Sequence, residues 1–350
     1  MQDFEKHKLN FFSFMEAFGP KEKIAVLSHQ NCVDGMASAV FLVEIIKKKY
    51  SSLSSPTVIF LPYKIGCLEI LEEQLKKKKI AKVFVLDVNL DVNLLEEFER
   101  FREKFDVCFM DHHPLNPKLR MDEKTIKTHT DDCTSLTLYR FGEGLIDEKR
   151  WSWLACVAAV SEFSYKNEDN LKFIQAQYPS FKVEEKNSEV WNLVDKLGSL
   201  IIYYSSDSLK AYEVIVKRDF EKIEVIHSEV AAEMERNLKD FEDNAESFHH
   251  KHLYFYLMKS RFDLGSKMST LLSIRHKGST VILFSQIEGT NLIRVSTRNN
   301  GVPLSYTMPD LLMAGIAGLQ DAIGGGHAAA AGGSFLRKDL ALFKEQVKQF

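Results

Sequence analysis

Two stretches decide the fold: Lys82-Val83-Phe84-Val85-Leu86-Asp87 and Asp106-Val107-Cys108-Phe109-Met110-Asp111-His112-His113. Each is a short apolar run that stops abruptly on carboxylate or imidazole side chains. Between them, Asn93 to Lys104 places Leu94, Leu95, Phe98 and Phe101 at helical spacing. Strand, helix, strand in that order pairs the strands in parallel, and strands covered on both faces read as continuous apolar runs. Outward from this unit, Ile24–Leu27 reads as another buried strand, followed by a polar loop and a helix from about Met36 to Lys49. Pro56 then precedes a strand at Thr57–Leu61. Parallel α/β sheets place ligands in the crevice at the carboxyl ends of their strands. The sequence puts His29 and Asp34 after the first strand, Asp87 after the third, and Asp111, His112 and His113 after the fourth.

The 350 residues suit two or three domains. Lys plus Arg is 46 against 49 Asp plus Glu, a formal charge of −3, which excludes holding nucleic acid by bulk positive charge. Five cysteines without a CxxC pair argue against a disulfide framework and for a reducing compartment. The segment Met1 to His7 is charged and predicts no secretory signal, and no apolar stretch approaches the roughly 18–20 residues of a membrane helix. The expectation is a soluble, cytoplasmic protein with no membrane partner. Trp151 to His250 reads as helical, with Ile223, Ile226, Val230, Met234, Leu238 and Phe241 as a packing stripe. From Leu253 the pattern turns β-rich: Leu253–Met258, then Thr280–Ile287 and Leu292–Thr297 flanking a turn at Glu288-Gly289. The expected organisation is a parallel-sheet α/β domain over 1–185, a helical connector over 186–251, and a smaller α+β domain over 252–350.

Carboxylates and neutral imidazoles together suit Mn²⁺, Zn²⁺ or Fe²⁺ better than Ca²⁺. Carboxylates shared between two ions ~3.5–4 Å apart are an arrangement that hydrolyses phosphate esters. The order HxxCxDG (His29 to Gly35), a strand-end Asp (Asp87), DHH (Asp111 to His113), then GGGHAAAAGG (Gly324 to Gly333) resembles the DHH-family phosphoesterases with a DHH-associated C-terminal domain, the RecJ-like and NrnA-like nucleases. The likeness runs from about Lys23 to Leu336. It implies two Mn²⁺ ions, with Zn²⁺, Co²⁺ or Mg²⁺ as alternatives. His29 and the Cys32 position would serve one ion, Asp34 and His112 the other, and Asp87 would bridge both. His113 would face the substrate phosphate and Asp111 would orient the pair. The family's carboxylate after an Ala-rich helix falls on Glu162, with Asp131 or Asp132 as the fallback. Arg298, Gly325, Gly326 and His327 match the family's substrate-binding positions in the second domain, which would clamp the substrate.

The implied activity is metal-dependent hydrolysis of short or single-stranded RNA or DNA from an end, as an exonuclease or oligoribonuclease. A small-molecule phosphatase or cyclic-dinucleotide phosphodiesterase is the alternative within the family, and a weakened replication or repair scaffold the alternative outside enzymes. Two departures bear on this: Cys32 stands where the family has Asp, and Glu162 lengthens an Asp by one methylene. The cluster His249, His250 and His252 has no carboxylate context and reads as a solvated helix end. Lys47–Lys49 and Lys76–Lys79 read as cations at helix C-termini.

Overall fold

The computed structural model describes residues 2–19, 21–51, 53–62, 65–185, 187–248, 251–300 and 305–350. His249 and His250 lie outside the described residues, as does the side chain of His327. The chain divides into two compact units, Met1–His227 and Ser228–Phe350.

The first unit opens with α1 (Gln2–Glu16), β1 (Ile24–His29), α2 (Val33–Lys49), β2 (Thr57–Leu61) and α3 (Cys67–Lys77). It continues with β3 (Lys82–Leu86), α4 (Leu90–Asn93), α5 (Leu95–Lys104), β4 (Asp106–Asp111) and β5 (Thr125–Lys127). Helices α6 (Thr134–Phe141), α7 (Glu148–Ser161), α8 (Glu168–Gln177), α9 (Glu189–Tyr203) and α10 (Ser208–Lys217) follow. The strands form one parallel sheet in the order β2-β1-β3-β4-β5. On one face, Val83, Val85 and Phe109 pack with Leu68, Leu71 and Leu75 of α3 and Phe98 and Phe101 of α5. On the other, Phe84 meets the rings of Phe11 and Phe14 from α1. Nearly all of α2 is buried, from Val33 to Val43 without a break. A helix apolar around its circumference belongs inside, and α2 touches both the sheet and the helices α6, α7 and α9.

The four predicted strands are present, with β1 two residues longer than read. The loop after β1 is shorter than its polarity suggests, because Cys32 caps α2 and the helix starts at Val33. The helix expected over 93–104 is α5, which starts two residues later, while the one-turn α4 before it and β5 were not foreseen. Chain order reverses between β1 and β3, which makes their carboxyl ends the topological switch point, where such sheets bind ligands.

Helix α11 (Phe220–Asn244) carries the chain from one unit into the other, so the residues read as a connector are shared between both. The second unit adds β6 (Glu246–Phe248), β7 (Leu253–Met258), α12 (Gly265–Arg275), β8 (Thr280–Gln286), β9 (Leu292–Asn299), α13 (Met308–Ile316), β10 (Ile323–His327), β11 (Ala330–Leu336) and α14 (Leu340–Gln349). Its sheet runs β10-β11-β9-β8-β7-β6, antiparallel except for the β7–β8 pair. Ile293, Val295, Phe335 and Phe284 form its core with Leu311, Leu312 and Phe343. Among the described residues no helix is long and apolar enough to cross a membrane.

Candidate metal centre

The site is built where three strand ends meet. His29 closes β1, and Cys32 caps α2, its Sγ accepting from the Gly35 amide at 3.2 Å. A Cβ on Gly35 would stand 2.4 Å from the carbonyl oxygen of His29, so only glycine lets the first turn of α2 sit against the end of β1. Ser28 fastens the same approach by donating its hydroxyl to the Gly35 carbonyl at 2.7 Å. The Cys32 Sγ thus lies 3.2 Å from His29 Nδ1 and donates to Asp87 Oδ2 at 3.0 Å.

Asp87 follows β3 with φ +55°, a left-handed conformation that costs a residue with a side chain. Its amide donates to the Met110 carbonyl at 2.9 Å, which ties the end of β3 to β4 and fixes the turn. The carboxylate is buried at the centre of two donor groups, His29–Cys32–Asp87 and Asp87–His112–His113. Within each group the ligand atoms all lie within 4.8 Å of one another.

Asp34 sits beside these groups in a different way. Its Oδ1 accepts from the Ser135 amide at 2.8 Å and the Cys133 thiol at 3.0 Å, and its Oδ2 from the Thr134 amide at 2.9 Å. It therefore serves the open N-terminus of α6, whose own capping residue Cys133 makes no side-chain cap. Its Oδ2 is still 3.7 Å from His112 Nε2. Glu162, at the C-cap of α7, falls outside both tight groups, although its carboxyl feels Asp34, His112 and His113. Asp132 is taken up by the His129 amide and by Asn167, and Asp131 lies beside His129.

Burial, followed by the charge of Asp34, pushes Asp87 well above the usual carboxylate range. Burial likewise raises Cys32, with Asp87 adding to it. Glu162 rises to about 7, first by burial and then by Asp34. Burial lowers His29 to about 4, which leaves its imidazole neutral with a lone pair to offer. Burial would lower His112 as well, but Asp87, Asp34 and Asp111 outweigh it and push it up to about 10. Crowding and burial thus disfavour charge on Asp87, Cys32 and Glu162, the form in which each could serve as a metal ligand.

A divalent ion fits the donor set. Among the described residues, Asp87 Oδ1 and both ring nitrogens of His112 are buried without a hydrogen-bond partner. Such atoms are rare in folded proteins unless an ion or water completes them. His112 Nε2 lies 3.4 Å from Asp87 Oδ1 and 3.7 Å from Asp34 Oδ2, within ion-pair distance of both.

Next to these donors, His113 Nδ1 meets Asp111 Oδ1 at 2.8 Å, and Lys127 Nζ donates to Asp111 Oδ2 at 2.7 Å. Lys127 has no counterpart in the sequence reading. Its strand β5 is only Thr-Ile-Lys, and a lysine after an isolated isoleucine resembles any surface loop.

In the second unit, Arg298 projects from β9 and donates to the carbonyls of Thr297 and Ala331 and to Ser266 Oγ, at 3.0, 3.3 and 3.3 Å. Gly325 and Gly326 lie in β10, in the hairpin with β11. A Cβ on Gly326 would strike the Ala330 carbonyl at 2.3 Å, whereas Gly325 has open space around it. The backbone of His327 pairs with Ala330, which pairs in turn with Arg298, so the three share one row of the sheet.

No family model matches the chain, and no curated protein does. Solved structures do. RecJ from Thermus thermophilus, in complex with Mn²⁺, aligns over 98% of this chain at TM-score 0.68 and 15% identity. The chain has the DHH-domain fold. It spans about half of that RecJ chain, 54%. The DHH domain of a member of the s1p family of ribosomal proteins aligns over 99% of this chain and 90% of its own, at TM-score 0.66 and 14% identity. An exopolyphosphatase-related protein from Bacteroides fragilis aligns over 99% and 96%, at TM-score 0.54 and 15% identity. These likenesses extend over both the parallel-sheet unit and the second, smaller unit.

Proposed function

We propose that this chain is a divalent-metal-dependent phosphoesterase of the DHH family, acting on short or single-stranded nucleic acid from an end. The observation that carries this is Asp87: a buried carboxylate in a left-handed turn, shared by two donor groups and left with an unpartnered oxygen beside two unpartnered His112 nitrogens. The RecJ neighbour, a Mn²⁺ complex, supports the ion, and the name of the exopolyphosphatase-related neighbour supports phosphate chemistry.

His29, Cys32 and Asp87 would hold one ion and Asp87, His112 and Asp34 a second, with Glu162 beside them. Bound there, the ions would supply Lewis acidity for the phosphate oxygens and lower the pKa of water. The residues do the rest. Asp87 keeps the two donor groups in one frame. His113, held by Asp111, offers Nε2 to a phosphate oxygen. Arg298 offers a guanidinium whose fork matches two phosphate oxygens.

Incubating the protein with Mn²⁺ and a panel of labelled short RNA, short DNA, long single strands, cyclic dinucleotides and inorganic polyphosphate tests the reading. End-wise release of mononucleotides, lost on chelation, is expected. Hydrolysis of the cyclic or inorganic substrates alone would move the assignment to a small-molecule phosphatase, and no hydrolysis at all would favour a scaffold.

Two variants probe the finer assignments. Arg298→Ala should weaken binding of a 5′-phosphorylated dinucleotide about ten- to a hundredfold, the loss of a charge-assisted contact, with metal content unchanged. Equal affinity in titration calorimetry would remove Arg298 from substrate binding. Cys32→Asp exchanges a soft donor for an oxygen and should shift activity from Zn²⁺ or Co²⁺ toward Mn²⁺. Identical metal profiles for wild type, Cys32→Asp and Cys32→Ser would show that Cys32 does not touch the ion.

A further inference from the structure

Behind His113 lies a row of buried charges that the two-ion reading does not use. Lys127 Nζ donates to Asp111 Oδ2 at 2.7 Å and to Asp91 Oδ1 at 3.1 Å. The side chains of Asp91 and Asp111 are wholly buried and that of Lys127 is 4% exposed. Asp91 is itself pinned, because Asn116 donates its amide to Asp91 Oδ2 at 3.0 Å and its side chain to the Asp91 carbonyl at 2.7 Å. Burying an ion is expensive, and one carboxylate would satisfy one lysine. Here Lys127 is shared by two, so it balances only one of the two carboxylates, and Asp111 Oδ1 is met by His113 instead.

The geometry decides what that charge can do. An ionised carboxylate only accepts, so the 2.8 Å contact from His113 Nδ1 to Asp111 Oδ1 makes Nδ1 the donor and leaves Nε2 as the ring nitrogen that Asp111 does not engage. Asp111 can hold this orientation only if its other oxygen is fixed, and Lys127 fixes it. The network also joins α4, which carries Asp91 just after the Asp87 turn, to the loop after β4, which carries His112, His113 and Asn116.

We propose that Lys127, backed by Asp91, is a positioning residue for His113: it pins one oxygen of Asp111 so that the other holds the imidazole with Nε2 toward the reacting phosphate. This rests on the phosphoesterase reading for its consequence but not for its geometry, and the test separates the two.

In metal-free, ¹⁵N-labelled protein the His113 Nδ1 proton is identified by its disappearance in His113→Ala. It should be protected in wild type. Lys127→Met, which keeps the stem and removes the cation, should speed its exchange about tenfold or more, and Lys127→Arg should restore protection. With Mn²⁺ and a 5′-phosphorylated RNA dinucleotide, Lys127→Met should lower kcat about ten- to a hundredfold with KM little changed, the usual effect of losing a partner behind a working histidine. In the His113→Ala background the same change should cost nothing further, because it acts through that ring. Folding is checked by circular dichroism. Should Lys127→Met not fold, Asp91→Asn loosens the lysine from the other side and takes its place in both measurements, with the same direction of change. Unchanged exchange in the folded variant, or an equal loss of kcat with and without His113, overturns the proposal. If wild type cleaves no phosphate ester, the function assigned above falls, and the exchange measurement alone still decides the role of Lys127.

Discussion

Asp87→Asn should leave a protein that folds at least as well as wild type and does nothing. In the metal-free chain Asp87 is a buried carboxylate raised by burial and by its neighbour Asp34. Removing its charge relieves both, so unfolding in urea should occur at an equal or higher midpoint. Activity should move the other way. Asp87 is the one residue common to both donor groups, and an amide there replaces a shared anionic ligand with a neutral one. An interaction worth ~4 kcal/mol in the transition state corresponds to roughly a thousandfold in rate. The same variant should lose the stabilisation that an ion gives wild type. That stabilisation is about 2.7 kcal/mol at an ion concentration near 100 times Kd, or roughly 5–10 °C in Tm. A Mn²⁺-dependent rise in Tm that persists unchanged in Asp87→Asn would mean the ion binds elsewhere.

Asp34→Ala should be the most destabilising single change in the site, for a reason unrelated to metal. The carboxylate accepts from the amides of Thr134 and Ser135 and from the thiol of Cys133, and its side chain is fully buried. Truncation leaves two buried amides without acceptors, each costing about 1–3 kcal/mol, partly offset by relief of the repulsion with Asp87. A net loss of about 2–4 kcal/mol in urea unfolding without metal is expected, with Asp34→Asn losing less because it keeps one oxygen and the shape. An unfolding midpoint equal to wild type would mean that α6 does not depend on this anchor. Metal-binding loss in Asp34→Ala is therefore interpretable only beside Asp34→Asn.

The parallel sheet was legible because β3 and β4 carry unbroken apolar runs, Val83–Leu86 and Val107–Met110, a pattern that burial on both faces imposes, and each run stops on an Asp that no core tolerates unpaired. The second unit was legible through the same contrast: β8 and β9 flank Glu288-Gly289, and Gly289 does adopt φ +71° in that turn. What escaped were relations between side chains distant in sequence. Asp34 and Ser135 are about a hundred positions apart, and nothing local to Cys133-Thr134-Ser135 says that its helix borrows a cap from another helix. Lys127 escaped because a three-residue strand leaves no periodicity to read. The one-turn α4 escaped because four residues are too few to show a helical period.

The contact at Gly35 has a bearing on how such a centre could change its chemistry. What sets the position of residue 32 is a backbone seated on a backbone, with the His29 carbonyl lying where a Cβ on residue 35 would be and Ser28 clasping the Gly35 carbonyl. None of those atoms belongs to a donor side chain. The scaffold therefore fixes an address without specifying its tenant, and a thiol or a carboxylate could occupy it while the loop keeps its shape. If residue 32 ligates an ion, swapping that one tenant would re-tune the preference between hard and soft ions in a single step. Swapping the glycine would evict every tenant at once.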